Sequence, residues 1–161
     1  MFRPHIFLLS LTIAVTLGLS RSASADDAEA KAIAVKVTTA GAALFDAKDA
    51  AALAATYVED AKIELITKDE STKEYKGEIK SGRGEVEAYY KELFKGDSTF
   101  HSKNTVEFAQ ELRPDLILFT GYFIPDTQSA EPLKIPFVQT RVKQGQDWKI
   151  LSLKLFVVLE K

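Results

Sequence analysis

From Ser98 onward the chain is four strand-forming runs, STFHSKNTVEFAQEL, DLILFTGYFIPD, PLKIPFVQTRVK and DWKILSLKLFVVL, with only turn signals between them. The separators are Arg113-Pro114-Asp115, Pro125-Asp126 and Gln144-Gly145-Gln146-Asp147. A parallel neighbour needs a crossover of about a dozen residues or more, so connections this short predict antiparallel hairpins. Such a sheet needs cover on at least one face, and the cover has to come from upstream.

Upstream, three helices are predicted. Between Asp26 and Asp46, the residues Ile33, Val37, Ala40 and Leu44 recur at helical spacing, with Asp26, Asp27 and Glu29 at the end where they complement the helix dipole. Gly41 inside this helix costs about 1 kcal/mol against Ala, which points to close packing or a pocket wall at that turn. Asp49 is placed to cap a shorter helix running through Tyr57, with Ala50, Leu53, Ala54 and Tyr57 on one face. Ala61, Ile63 and Leu65 then alternate with Lys62 and Glu64, the period of a half-buried strand. A charged turn and a short edge strand over Tyr75 to Ile79 follow. GRGEVEAYYKELFKG reads as a third helix carrying Val86, Tyr89, Tyr90, Leu93 and Phe94 and ending at Gly96.

The first 25 residues read differently. Arg3 precedes an apolar run from Ile6 to Leu19, and Ala23-Ser24-Ala25 forms a small-residue exit. The pattern predicts a secretory signal peptide over 1–25, cleaved after Ala25, and a single domain over 26–161 located in the periplasm or secreted. The run is broken by Ser10, Thr12, Thr16 and Gly18 and is short for a bilayer span, so no membrane attachment is expected after cleavage. The chain contains no cysteine, which excludes disulfides, thiolate metal sites and a lipid-modified cysteine. Losing Arg3 and Arg21 with the leader takes the formal charge from −2 to −4, a balance that argues against nucleic-acid binding. With His5 in the leader, His101 is the one histidine of the mature chain, so a multi-histidine metal site is excluded and no cofactor is expected.

The order helix, helix, strand, edge strand, helix, four strands resembles the nuclear transport factor 2-like superfamily in its SnoaL-like branch. FDAKDAAALAATYVEDAKIEL, GRGEVEAYYKELF and GQDWKI are the local matches. The resemblance implies an α+β fold in which three helices pack on a strongly curved, mostly antiparallel sheet. That sheet forms a cone with an apolar pocket at its wide end. Sheet-face homodimers are also implied. Ketosteroid isomerases of this superfamily carry a general-base Asp at the end of the first strand and a Tyr on the first helix. Matching EDAKIEL and FDAKD to those segments puts Leu65 and Gly41 at the two positions.

The candidate ligand-binding residues are Tyr57, Tyr90, Phe94, Phe119, Phe123, Gln139, Arg141 and Phe156. The aromatic members serve equally well as core. Gln139 and Arg141 share a strand face with Phe137, where Arg141 either anchors an anion through its guanidinium fork or lies on a solvated or ion-paired face. The expected function is binding of a small, mainly apolar molecule, or an interaction role, without catalysis. The competing reading is a cyclase, isomerase or dehydratase in which His101 acts as acid or base with Tyr57 or Asp60. It requires the His101 ring to lie inside the pocket, whereas a histidine flanked by Phe100, Ser102 and Lys103 reads more readily as a surface or edge-strand residue. In the last run, Leu151, Leu153, Leu155, Val157 and Leu159 are expected on one face and Trp148, Ile150, Phe156 and Val158 on the other. Two apolar faces on one strand predict a homodimer across the outer one.

Overall fold

The computed structural model describes residues 25–69, 71–96, 101–126 and 133–159. Residues 1–24 of the expected signal peptide, residues 98–100 of the first expected late strand, and the side chains of Val158 and Leu159 lie outside the described residues. Nine elements follow in order: α1 (Ala25–Asp46), α2 (Ala50–Ala55), β1 (Tyr57–Asp69), β2 (Tyr75–Ser81), α3 (Arg83–Leu93), β3 (Ser102–Arg113), β4 (Leu116–Pro125), β5 (Ile135–Gln144) and β6 (Asp147–Leu159). The six strands form one curved mixed sheet of order β2-β1-β6-β5-β4-β3. All neighbours are antiparallel except β1 and β6, which run parallel. The architecture is α+β, with helices on the concave side of the sheet. Among the described residues no helix is long and apolar enough to cross a membrane.

The way α1 packs differs from the expected spacing. Its buried stripe is Ala30, Ala34, Thr38 and Ala42, with Ile33, Val37 and Leu44 half-buried beside it and Ala40 exposed. Small side chains face the sheet because they let the helix approach it closely, and the larger ones wedge in at the flanks. Both ends of α1 are strapped to β3. Asp46 accepts from the Ser102 amide and hydroxyl at 2.9 and 2.7 Å, and Asp27 accepts from the Glu111 amide at 3.3 Å.

Asp49 caps α2 as expected, accepting from Ala52 N–H at 2.9 Å. Tyr57 does not end that helix. Thr56 does, and Tyr57 opens β1 with its carbonyl held by the Arg83 guanidinium at 2.9 and 3.2 Å. The Thr56 carbonyl accepts from Ile150 N–H at 2.8 Å, which docks the end of α2 onto β6. Gly82 precedes α3 at φ +83°, a left-handed conformation suited to glycine, and its N–H reaches the Ala61 carbonyl at 2.8 Å.

The faces of β6 also differ from strict alternation. Pairing with β5 slips between Thr140 and Arg141, so that Thr140 faces Ser152 and Arg141 faces Ile150. Leu151 is the extra residue of a bulge. Ile150, Leu153, Leu155 and Val157 therefore all point inward, while Leu151 is exposed and Ser152, Lys154 and Phe156 face outward. Lys154 pairs with Glu64 at 2.7 Å and interrupts the apolar outer stripe that alternation predicts.

Candidate functional site

The inward face of the sheet and the three helices enclose a cavity of about 390 Å³. Its sheet side follows from the register. Tyr57, Ile150 and Arg141 lie in one cross-strand row, Leu153 pairs with Gln139, and Leu65, Leu155 and Phe137 form the next row. Thr67, Val157, Ile135, Phe123 and Asn104 sit at the far end. Arg141 and Ile135 are six residues apart on β5, so the cavity extends roughly 20 Å from its Arg141 end to its Ile135 end. Thr38, Gly41 and Phe45 of α1, Leu53 of α2, and Tyr89, Tyr90 and Leu93 of α3 complete the wall.

Among the described residues, Arg141 is the only charged side chain on that wall. It is 4% exposed, and its Nε donates to Gln139 Oε1 at 2.7 Å and its Nη1 to the Trp148 carbonyl at 2.8 Å. Among the described residues its Nη2 has no partner, and no carboxylate is within ion-pair distance. Burial pulls its pKa from the ordinary arginine range to about 10, so it stays cationic at neutral pH. The wall also carries a buried phenol pair, with Tyr57 and Tyr90 hydroxyls 2.8 Å apart. Desolvation raises both pKa values, that of Tyr57 well above the ordinary phenol range and that of Tyr90 to about 12. Both are neutral at physiological pH. One hydroxyl proton lies between the two oxygens, and the other is left to donate elsewhere. At the far end, Asn104 donates to the Thr38 carbonyl at 3.0 Å.

Of the residues predicted from sequence, Tyr57, Tyr90, Phe123, Gln139 and Arg141 come together on this wall. Phe119 is fully buried in the core, edge-on to Phe137, and is not a wall residue. Phe94 lies one layer back, stacked on Tyr90 and edge-on to Phe45. Phe156 is on the opposite face of the sheet, 36% exposed, because even-numbered positions beyond the bulge point outward. His101 lies outside the cavity with its side chain 84% exposed, 4.0 Å from the Asp46 carboxylate, so the imidazole inside the pocket that the competing reading requires is not there. Asp60 is exposed in the irregular start of β1 and does not reach the wall. Gly41 and Leu65 are both wall residues. Thr38 and Asn104 also line the cavity, and the signal for them in the sequence is a polar side chain within an apolar element. Among the described residues no group of three or more metal-ligating side chains occurs.

No protein-family model and no curated protein matches the sequence. Solved structures do match. A nuclear transport factor 2-like protein of unknown function from Shewanella oneidensis superposes with a TM-score of 0.63 at 16% identity, over 78% of this chain and 98% of that one. A domain of unknown function with a cystatin-like fold from Nostoc punctiforme gives 0.63 at 16% identity, over 82% and 79%. Aln2 from a Streptomyces species gives 0.62 at 15% identity, over 80% and 90%. The chain has the nuclear transport factor 2-like, cystatin-like fold.

Proposed function

We propose that this chain is an exported, SnoaL-like domain that binds a small, mainly apolar molecule in the cone formed by its sheet and helices, and does no chemistry on it. The observation that carries this reading is the cavity wall. It is mostly aliphatic and aromatic, and it offers no carboxylate and no imidazole among the described residues to take a proton. Leu65 and Gly41 stand where the isomerases it resembles keep their base and their tyrosine, and a leucine and a glycine can neither abstract nor donate a proton.

Gly41 provides the control. A Cβ built there meets nothing within 4 Å, so Gly41→Phe should fold, gain helix propensity and fill part of the cavity. In a thermal-shift screen of apolar and carboxylate-bearing metabolites, a true ligand at a hundred-fold excess over its Kd should raise the wild-type Tm by on the order of 5–10 °C. It should leave Gly41→Phe unmoved. Equal shifts in both proteins, or none in the wild type, would remove the reading.

The same reading pairs two copies through the outer face of the sheet. Phe108 is 50% exposed there, and Leu118, Tyr122 and Val138 lie on the same face. Light scattering on residues 26–161 should give the dimer mass, and Phe108→Lys should give a folded monomer. Leu153→Lys should instead abolish folding, because Leu153 is buried. A wild-type monomer would rule the dimer out.

A further inference from the structure

We propose that the Arg141 end of the cavity is a carboxylate subsite, so that the ligand is a small amphipathic monocarboxylate bound head-inward. The proposal rests on the ligand-binding reading above and narrows it to a chemical class.

Arg141 is a buried cation whose positive charge no described carboxylate neutralises, held on a wall that is otherwise uncharged. Gln139 and the Trp148 carbonyl fix its plane through Nε and Nη1, and neither of them carries a charge. Of the five guanidinium N–H groups three are left, both of Nη2 and one of Nη1, enough to meet a carboxylate's two oxygens. Tyr57 lies in the same cross-strand row, joined through Ile150, and its hydroxyl pair with Tyr90 holds one further proton to donate. These groups are all donors, and they can satisfy an anion without a proton transfer.

The charge count selects the class. One cation matches a monoanion, whereas a phosphate monoester would bring close to two charges to a wall with no second cation. Beyond Gln139 the wall is largely apolar, with Leu153, Leu155, Phe137, Ile135 and Val157 ahead of Thr67 and Asn104 at the far end, which suits an aliphatic or aryl body trailing that way.

The test compares matched probes on the intact mature protein by calorimetry: octanoate against octanol, hydrocinnamate against hydrocinnamyl alcohol, and octyl phosphate. Wild type should bind each acid about ten-fold or more tighter than its alcohol. Arg141→Met should lose that preference. Arg141→Lys, which keeps the charge without the fork, should recover part of it. Equal binding of acid and alcohol by wild type would overturn the carboxylate subsite and leave the apolar-pocket reading standing. Tighter binding of octyl phosphate than of octanoate would overturn the monoanion assignment. Failure of every probe to bind would overturn both the subsite and the pocket reading. Because the first comparison varies only the ligand, it holds even if a variant at Arg141 does not fold.

Discussion

Gly121→Ala is expected to destabilise the fold by about 3–5 kcal/mol and to leave much of the protein unfolded or insoluble. A Cβ at Gly121 would stand 1.8 Å from the Thr105 carbonyl oxygen and 2.8 Å from its carbon, with Phe137 Cζ 3.2 Å away. The first two atoms are backbone, which cannot rotate aside. Pairing between β3 and β4 slips just beyond, between Val106 and Phe108, where a bulge bends β3. The methyl group could be accommodated only by parting these strands. Set against a typical total stability of about 5–15 kcal/mol, the effect is a large fraction of what holds such a domain together. Chemical denaturation of Gly121→Ala beside wild type checks it; an unchanged midpoint would mean the strands do not approach this closely.

The second large effect has the opposite sign. Replacing Arg141 and Gln139 together, as Arg141→Met with Gln139→Leu, is expected to stabilise the empty protein by about 1–3 kcal/mol. The lowered pKa of Arg141 corresponds to a cost on the order of 3 kcal/mol for keeping its charge buried. Both residues are changed because Arg141→Met alone would leave Gln139 Oε1 buried without its donor. The pH dependence follows from the direction of each shift. The folded pKa of Arg141 lies below its unfolded value, so its cost is fully present below about pH 10 and is relieved as pH rises past that point. Tyr57 and Tyr90 have raised pKa values, so they hold their protons in the fold while the unfolded chain ionises, and stability falls above about pH 10. Wild type feels both trends and the double variant only the loss. The variant's advantage should therefore be greatest near neutrality and shrink in alkali. Urea denaturation at neutral and alkaline pH measures this. A double variant less stable than wild type at neutral pH would mean that Arg141 and Gln139 serve the core.

Much of this arrangement could be read from the residues, and the gaps have physical causes. The four late strands were legible because Pro114-Asp115, Pro125-Asp126 and Gly145 mark the turns and period-two patterns fill the intervals. Gly41 marked the wall because a glycine in mid-helix has to be explained. Tyr57 reads as the end of the helix because it satisfies both periods, four residues after Leu53 and four before Ala61; the cap at Thr56 decides between them. Phe137, Gln139 and Arg141 were recognisable as one face, but not as the inner one, since β5 carries apolar side chains on both faces. The bulge at Leu151 has no residue signature of its own, and it inverts the assignment of Ile150 and Leu151. His101 was legible as well: its place beside Phe100, Ser102 and Lys103 favours a surface position, and its side chain is 84% exposed just ahead of β3.

The position of β6 bears on the order in which this protein can be made. It is the last strand of the sequence, yet it lies between β1 and β5 and is the only link in the described sheet between the β1–β2 hairpin and the β3–β4–β5 meander. While the ribosome is still releasing the chain, these two pieces have no shared strand, and the wall that Ile150, Leu153, Leu155 and Val157 complete does not exist. Closure waits for β6 and for a parallel pairing between strands about 90 residues apart, as Ile63 with Leu153, the slow kind of contact to form. The cavity is therefore a late product of folding, and anything that binds in it meets only chains in which β6 has already docked.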